Sequence, residues 1–156
     1  MDDLNFLVVD DKGTKLTYTD SGTPPHSTTY TTLFTLNGMG VNAGIYARLS
    51  ALAPSADLRL VAINRRSYGG STAPPPPAPT TPPPHKTPLP PPRGLELAAF
   101  LDRFIQTFAP PPVSADGRTG GLALVPWSAG NGPMLAAVAS VEELAPDVQA
   151  RFAAHV

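Results

Sequence analysis

Three short apolar runs, at residues 31–36, 58–63 and 122–125, alternate with segments of helical period, and this alternation constrains the fold more than anything else in the chain. Runs of four to six residues rich in Leu, Ile, Val, Thr and Phe suit strands buried on both faces. From Ile45, the positions Ile45, Leu49 and Leu52 recur at helical spacing until Pro54, which is expected to end that helix. Leu97, Leu101, Phe104, Ile105 and Phe108 mark one face of a second helix, stopped by Pro110, Pro111 and Pro112. Met134 to Ala139 reads as a third, and a last helical piece from Val141 bends near Pro146. Strand, helix, strand, helix, strand, helix is the order of a parallel sheet with helices on both faces.

Ahead of this series, residues 6–9 and 15–19 flank the turn cluster Asp10, Asp11, Lys12 and Gly13, and predict a β-hairpin. The fold class is therefore α/β, an N-terminal hairpin plus a mostly parallel sheet flanked by helices. The length of 156 residues suits one domain. Twelve of the 21 prolines fall between Pro74 and Pro92, so the excess is one tract in an otherwise globular composition. That tract reads as a disordered, polyproline-type insertion at 72–93, between the second parallel strand and its helix. Within it Pro88, Pro91 and Arg93 fit the P-x-x-P-x-Arg form that SH3-type grooves take, a pattern that also arises by chance in any proline-rich stretch.

Charge and residue usage exclude several function classes. A formal net charge of -1 gives no basic surface for nucleic acid or an anionic membrane. The chain has no cysteine, hence no disulfide, thiolate metal site or cysteine nucleophile. Three histidines without H-x-x-x-H spacing suggest no metal site, and no cofactor is expected. His26 and His85 read as surface residues, and His155, next to last, as a solvated one. No stretch approaches a membrane span, and the acidic start carries no secretory pattern, so a cytoplasmic protein is the default.

The chemistry concentrates on turns that follow the parallel strands. Ser128 stands between the strand 122–125 and a helix, with Gly130 two residues on. A serine on such a turn exposes its hydroxyl at the carboxyl edge of the sheet, where the helix N-terminus directs its amides. The G-x-S-x-G form of this turn has Pro126 in place of its first glycine. Proline removes an amide donor from what reads as a central strand. An ordinary turn serine capping a helix is the alternative on this segment alone.

Three further segments extend the pattern. Gly13, Leu16, Tyr18, Asp20 and Gly22 match G-x-x-L-x-Y-x-D-x-G. Asn37-Gly38-Met39-Gly40 is similar to His-Gly-x-Gly. Asn64-Arg65-Arg66-Ser67-Tyr68-Gly69-Gly70-Ser71 is similar to D-x-R-G-x-G-x-S, with Asn for Asp and Ser for the first Gly. In this order the four segments resemble the N-terminal portion of the α/β-hydrolase superfamily. The resemblance implies that Ser128 is the nucleophile and that the amides of Met39 and Ala129 form an oxyanion hole. It implies a small ester or acyl substrate.

The same resemblance shows what is missing. The superfamily orders its triad Ser, then acid, then His, on turns after later strands. After Ser128 come Glu142, Glu143, Asp147 and His155, all in a segment that reads as helical. The expectation is a hydrolase domain interrupted after its nucleophile turn, active if further strands complete it. A catalytically incompetent fragment, acting as an interaction module through the proline-rich tract, is the rival. In either case the strand 122–125 is expected to be an uncovered edge, with marginal stability and a tendency to associate.

Overall fold

The computed structural model describes residues 4–74, 76 and 93–156. Most of the insertion expected at 72–93, including Pro88 and Pro91, lies outside the described residues. The strands are β1 (Asn5–Val8), β2 (Lys15–Asp20), β3 (Thr31–Leu36), β4 (Leu58–Ile63) and β5 (Leu122–Leu124). The helices are α1 (Ala47–Leu52), α2 (Arg93–Phe108), α3 (Asn131–Ala139) and α4 (Pro146–Ala153).

One sheet runs in the order β1-β2-β4-β3-β5. The hairpin pairs antiparallel, and β2 joins β4 antiparallel, Tyr18 opposite Ile63. β3 lies parallel to both β4 and β5, with Phe34 opposite Val61 on one side and Leu124 on the other. Alternation along the strands then sorts side chains to the two faces. Phe34 meets Phe100 and Phe104 of α2 edge-on, as does Tyr18 of β2, and all four rings are buried. Leu33 and Thr35 point the other way, toward α1. Helices therefore flank both faces, as expected.

Arg59, the one charged residue of β4, is buried on the α2 face. Its guanidinium donates from Nε to Asp20 Oδ1 at 3.0 Å and from Nη2 to Oδ2 at 2.6 Å, and lies over the rings of Phe104 and Phe108. Burial opposes its charge, and the Asp20 carboxylate outweighs that and raises its affinity for the proton. The Asp of the hairpin pattern thus neutralises a buried cation.

The first helix departs in part from its sequence reading. Regular α-helix spans only Ala47–Leu52, beginning after Ile45 and ending before Pro54 as expected, with tighter 3-10 turns at Ala43–Tyr46 and Ala53–Ala56 on either side. Ile45, Leu49 and Leu52 are all exposed, the last at 64%. Leu49 and Leu52 border an apolar groove of about 400 Å³ that also includes Leu33, Leu58, Val125 and Trp127. On the opposite face α2 is amphipathic as read, and Asp102 there accepts from Arg151 Nε of α4 at 2.6 Å. No helix among the described residues is long and apolar enough to cross a membrane.

Candidate active site

Ser128 begins a short 3-10 turn, Ser128–Gly130, that leads directly into α3. Its φ of 52° is in the left-handed region, which costs a non-glycine residue roughly 1–3 kcal/mol unless its surroundings impose it. Those surroundings are specific. Trp127 donates its amide to Leu36 O at 3.2 Å, and Gly130 closes the turn onto Trp127 O at 2.9 Å. A Cβ on Gly130 would stand 2.3 Å from Leu36 O, so only glycine lets the turn pass the end of β3. Asn131 Nδ2 then caps Ser128 O at 2.8 Å.

Pro126 costs this arrangement nothing on the β3 side. The amides that reach β3 are those of Val125, to Phe34 O at 2.8 Å, and Trp127. Position 126 alternates outward, toward the open side of β5, so the donor that proline lacks was never part of the ladder. The donor that proline lacks is thus withheld from the far side of β5 and not from its pairing with β3.

The second wall is the turn after β3. Asn37 is fully buried, and its Nδ2 donates to Gly38 O at 3.1 Å and to Val41 O. Its Oδ1 accepts the Arg65 amide at 3.2 Å. A Cβ on Gly38 would lie 3.2 Å from Ser128 Cβ and 3.6 Å from its Oγ, which brings the Asn37–Gly40 turn directly against the serine. Among the described residues the Met39 amide donates to no protein group. Ala129 is in the first turn of its helix, where amides have no intrahelical acceptor. Both expected oxyanion donors therefore stand on turns that meet at Ser128.

The turn after β4 braces the others. Asn64 Oδ1 accepts the Ala43 amide at 2.7 Å while Nδ2 donates to Thr17 Oγ1 at 3.0 Å. An aspartate could accept at the first contact and not donate at the second. Ser71 Oγ accepts from Thr17 N and donates to Asn64 O, tying the loop to the hairpin. Ser67, in place of the pattern's glycine, adopts the left-handed φ of 67°. Arg66 is paired with Glu96 of α2, whose hydrogen bond holds the guanidinium's proton more tightly than usual. A cavity of about 370 Å³ opens beside the turn, lined by Leu36, Met39, Arg65, Tyr68, Leu97 and Pro133 among others. The roles of Asn64, Arg65 and Tyr68 were missed as site residues, although the segment that carries them was conspicuous.

The candidate partners after Ser128 lie elsewhere. Glu142, Glu143 and Asp147 follow the far end of α3, and all are exposed. Asp147 pairs with Arg151. His155 accepts the Leu122 amide through its carbonyl, at the start of β5, roughly 20 Å of extended chain from Ser128. Its Nδ1 is 2.8 Å from Arg151 O and its Nε2 3.3 Å from Pro110 O, so the ring is half-buried and tied to backbone rather than solvated. His26 is exposed, as expected. His85 and the SH3-type motif, apart from the backbone of Arg93 in α2, lie outside the described residues.

No protein-family model matches the sequence, and no curated protein matches it. Among solved structures the chain is similar to a bromoperoxidase from Bacillus anthracis, with a TM-score of 0.51 and 14% identity over 84% of this chain and 37% of that one. It is similar to the thioesterase domain from the curacin biosynthetic pathway, with a TM-score of 0.50 and 20% identity over 90% of this chain and 39% of that one. An esterase from Exiguobacterium antarcticum aligns at a TM-score of 0.45 and 14% identity, over 95% of this chain and 59% of that one. The chain spans under two-fifths of the length of the first two. Together with the hairpin, the parallel strands and the turn at Ser128, the first two likenesses show that the chain has an α/β-hydrolase-like fold.

Proposed function

We propose that this chain carries the nucleophile half of a serine hydrolase acting on an ester or related acyl compound. One observation carries the reading: Ser128 takes a left-handed φ on the turn between β5 and α3, with the glycine turn 37–40 packed against it. In the proposed step Ser128 Oγ bonds to the substrate's carbonyl carbon and its proton passes to a general base. The amides of Met39 and Ala129 receive the developing oxyanion. Collapse then breaks the bond to the leaving alkoxide, which takes up the proton. The cavity beside Met39 and Leu97 would hold the acyl or alcohol part. The step requires a base and an orienting acid, which further strands would have to supply if they complete the fold.

The second reading, a non-catalytic interaction module, draws on one fact: among the described residues Ser128 Oγ has no histidine or carboxylate as a hydrogen-bond partner. A fluorophosphonate probe, with imidazole supplied as base, separates the two. Labelling that disappears in Ser128→Ala supports the hydrolase, and a folded chain that stays unlabelled favours the module.

A further inference from the structure

Arg65 makes no ion pair among the described residues, unlike Arg59, Arg66 and Arg151. It lies beside the turn after β3, where its Nη2 donates to Gly38 O at 2.7 Å. Its guanidinium carbon sits 4.8 Å from the centre of the Tyr68 ring, and the Tyr68 hydroxyl accepts the Gly40 amide at 3.3 Å. The two side chains thus grip the turn on either side of Met39.

The carbonyl that Arg65 holds belongs to the same peptide group as the Met39 amide. No peptide bond described is cis, so the group is planar and trans, with C=O and N–H pointing in opposite directions. Fixing the direction of Gly38 C=O therefore fixes the direction of Met39 N–H. Asn37 Nδ2 supplies a second donor to the same oxygen at 3.1 Å, so both lone pairs are engaged. A charged donor on the carbonyl also draws electron density through the amide and makes its N–H a stronger donor.

We propose that Arg65 is a positioning residue for the oxyanion hole: through Gly38 O it aims and polarises the Met39 amide, and Tyr68 holds the guanidinium and the far end of the turn in place. The proposal deepens the serine-hydrolase reading and rests on it for its catalytic meaning. The geometry itself is independent of any reaction.

The test compares wild type with Arg65→Met, which keeps an aliphatic stem against Tyr68 and loses the donors, and with Arg65→Lys, which keeps a charged donor. One readout is the NMR shift of the Gly38 carbonyl carbon and the Met39 amide nitrogen in selectively labelled protein. The other is imidazole-assisted fluorophosphonate labelling at Ser128. Arg65→Met is expected to move both resonances and to slow labelling on the order of tenfold, with Arg65→Lys intermediate. Unchanged resonances in a folded Arg65→Met chain overturn the proposal. If wild type itself is unlabelled, the hydrolase reading fails while the resonances still decide the role of Arg65. Should Arg65→Met not fold, Arg65→Gln and Arg65→Lys carry the comparison, and unchanged resonances in both overturn it equally.

Discussion

Gly38 lies against Ser128 so closely that a Cβ on the glycine would stand 3.2 Å from the serine's Cβ and 3.6 Å from its Oγ. This contact joins the turn after β3 to the turn after β5, segments about ninety residues apart in sequence. Gly38→Ala is expected to push the turns apart by a few tenths of an ångström and to lower imidazole-assisted labelling of Ser128 about tenfold, with little change in stability. Gly130→Ala should do the opposite kind of damage. Its Cβ would meet the Leu36 carbonyl at 2.3 Å, backbone that cannot turn away, so a lower urea midpoint is expected, by about 1–3 kcal/mol or more. Equal effects of the two variants on stability would contradict this division.

The Asp20–Arg59 pair offers a test of the core. With side chains only 11% and 5% exposed, the pair is shielded from solvent, and removing one partner strands the other. Asp20→Ala is expected to cost about 3–5 kcal/mol in urea unfolding, and Asp20→Ala with Arg59→Met to cost less than Asp20→Ala alone. A double variant worse than the single one would show that Arg59 contributes chiefly through its stacking on Phe104 and Phe108.

Acid sensitivity follows from Asp10. The hydrogen bond from the Thr14 hydroxyl, and then that from the Thr14 amide, hold its carboxyl below its ordinary value of 3.8. A depressed folded value gives stability that is present above the unfolded value and lost as pH falls through the folded one. Asp10→Asn should therefore flatten the fall of Tm below about pH 3.8 and leave the slope above it unchanged. Identical acid limbs for the two proteins would remove Asp10 from the account.

The groove beside α1 leaves Leu49, Leu52, Val125 and Trp127 more than half exposed. A contiguous apolar surface of this kind binds hydrophobic dyes and favours association. The chain is expected to enhance ANS fluorescence and to sediment as a concentration-dependent mixture. Leu49→Gln with Leu52→Gln should lower the dye signal severalfold while shifting stability by no more than about 0.5 kcal/mol, because both side chains already face solvent. A dye-silent, strictly monomeric wild type would contradict the exposure.

Much of this was legible in the sequence where one residue's chemistry sufficed. β3 and β4 fall on the expected bounds, Thr31–Leu36 and Leu58–Ile63, because aliphatic and β-branched runs there are bounded by turn residues. α2 follows its apolar period because that face meets Tyr18 and Phe34. α1 ends before Pro54 as read but begins at Ala47, and its apolar residues are exposed, because periodicity reveals an apolar stripe but not whether anything covers it. What Pro126 costs was not legible for a related reason. Whether a missing amide matters depends on register, and only the Val125 and Trp127 bonds to β3 reveal which way position 126 points. The turn carrying Arg65 and Tyr68 was recognised as a pattern, but their contacts with Gly38 and Gly40 bridge loops from different strands and leave no local signal.

In the proposed function Ser128 is the nucleophile, with the amides of Met39 and Ala129 as its oxyanion donors and with base and orienting acid still to be supplied. The most direct measurement is mass-spectrometric mapping of every serine after exposure of the folded chain to a fluorophosphonate with and without imidazole. Modification at Ser128 above all other serines, accelerated by imidazole and absent in Ser128→Ala, is the expected result. Modification spread evenly over the exposed serines, with no imidazole effect at Ser128, would contradict it.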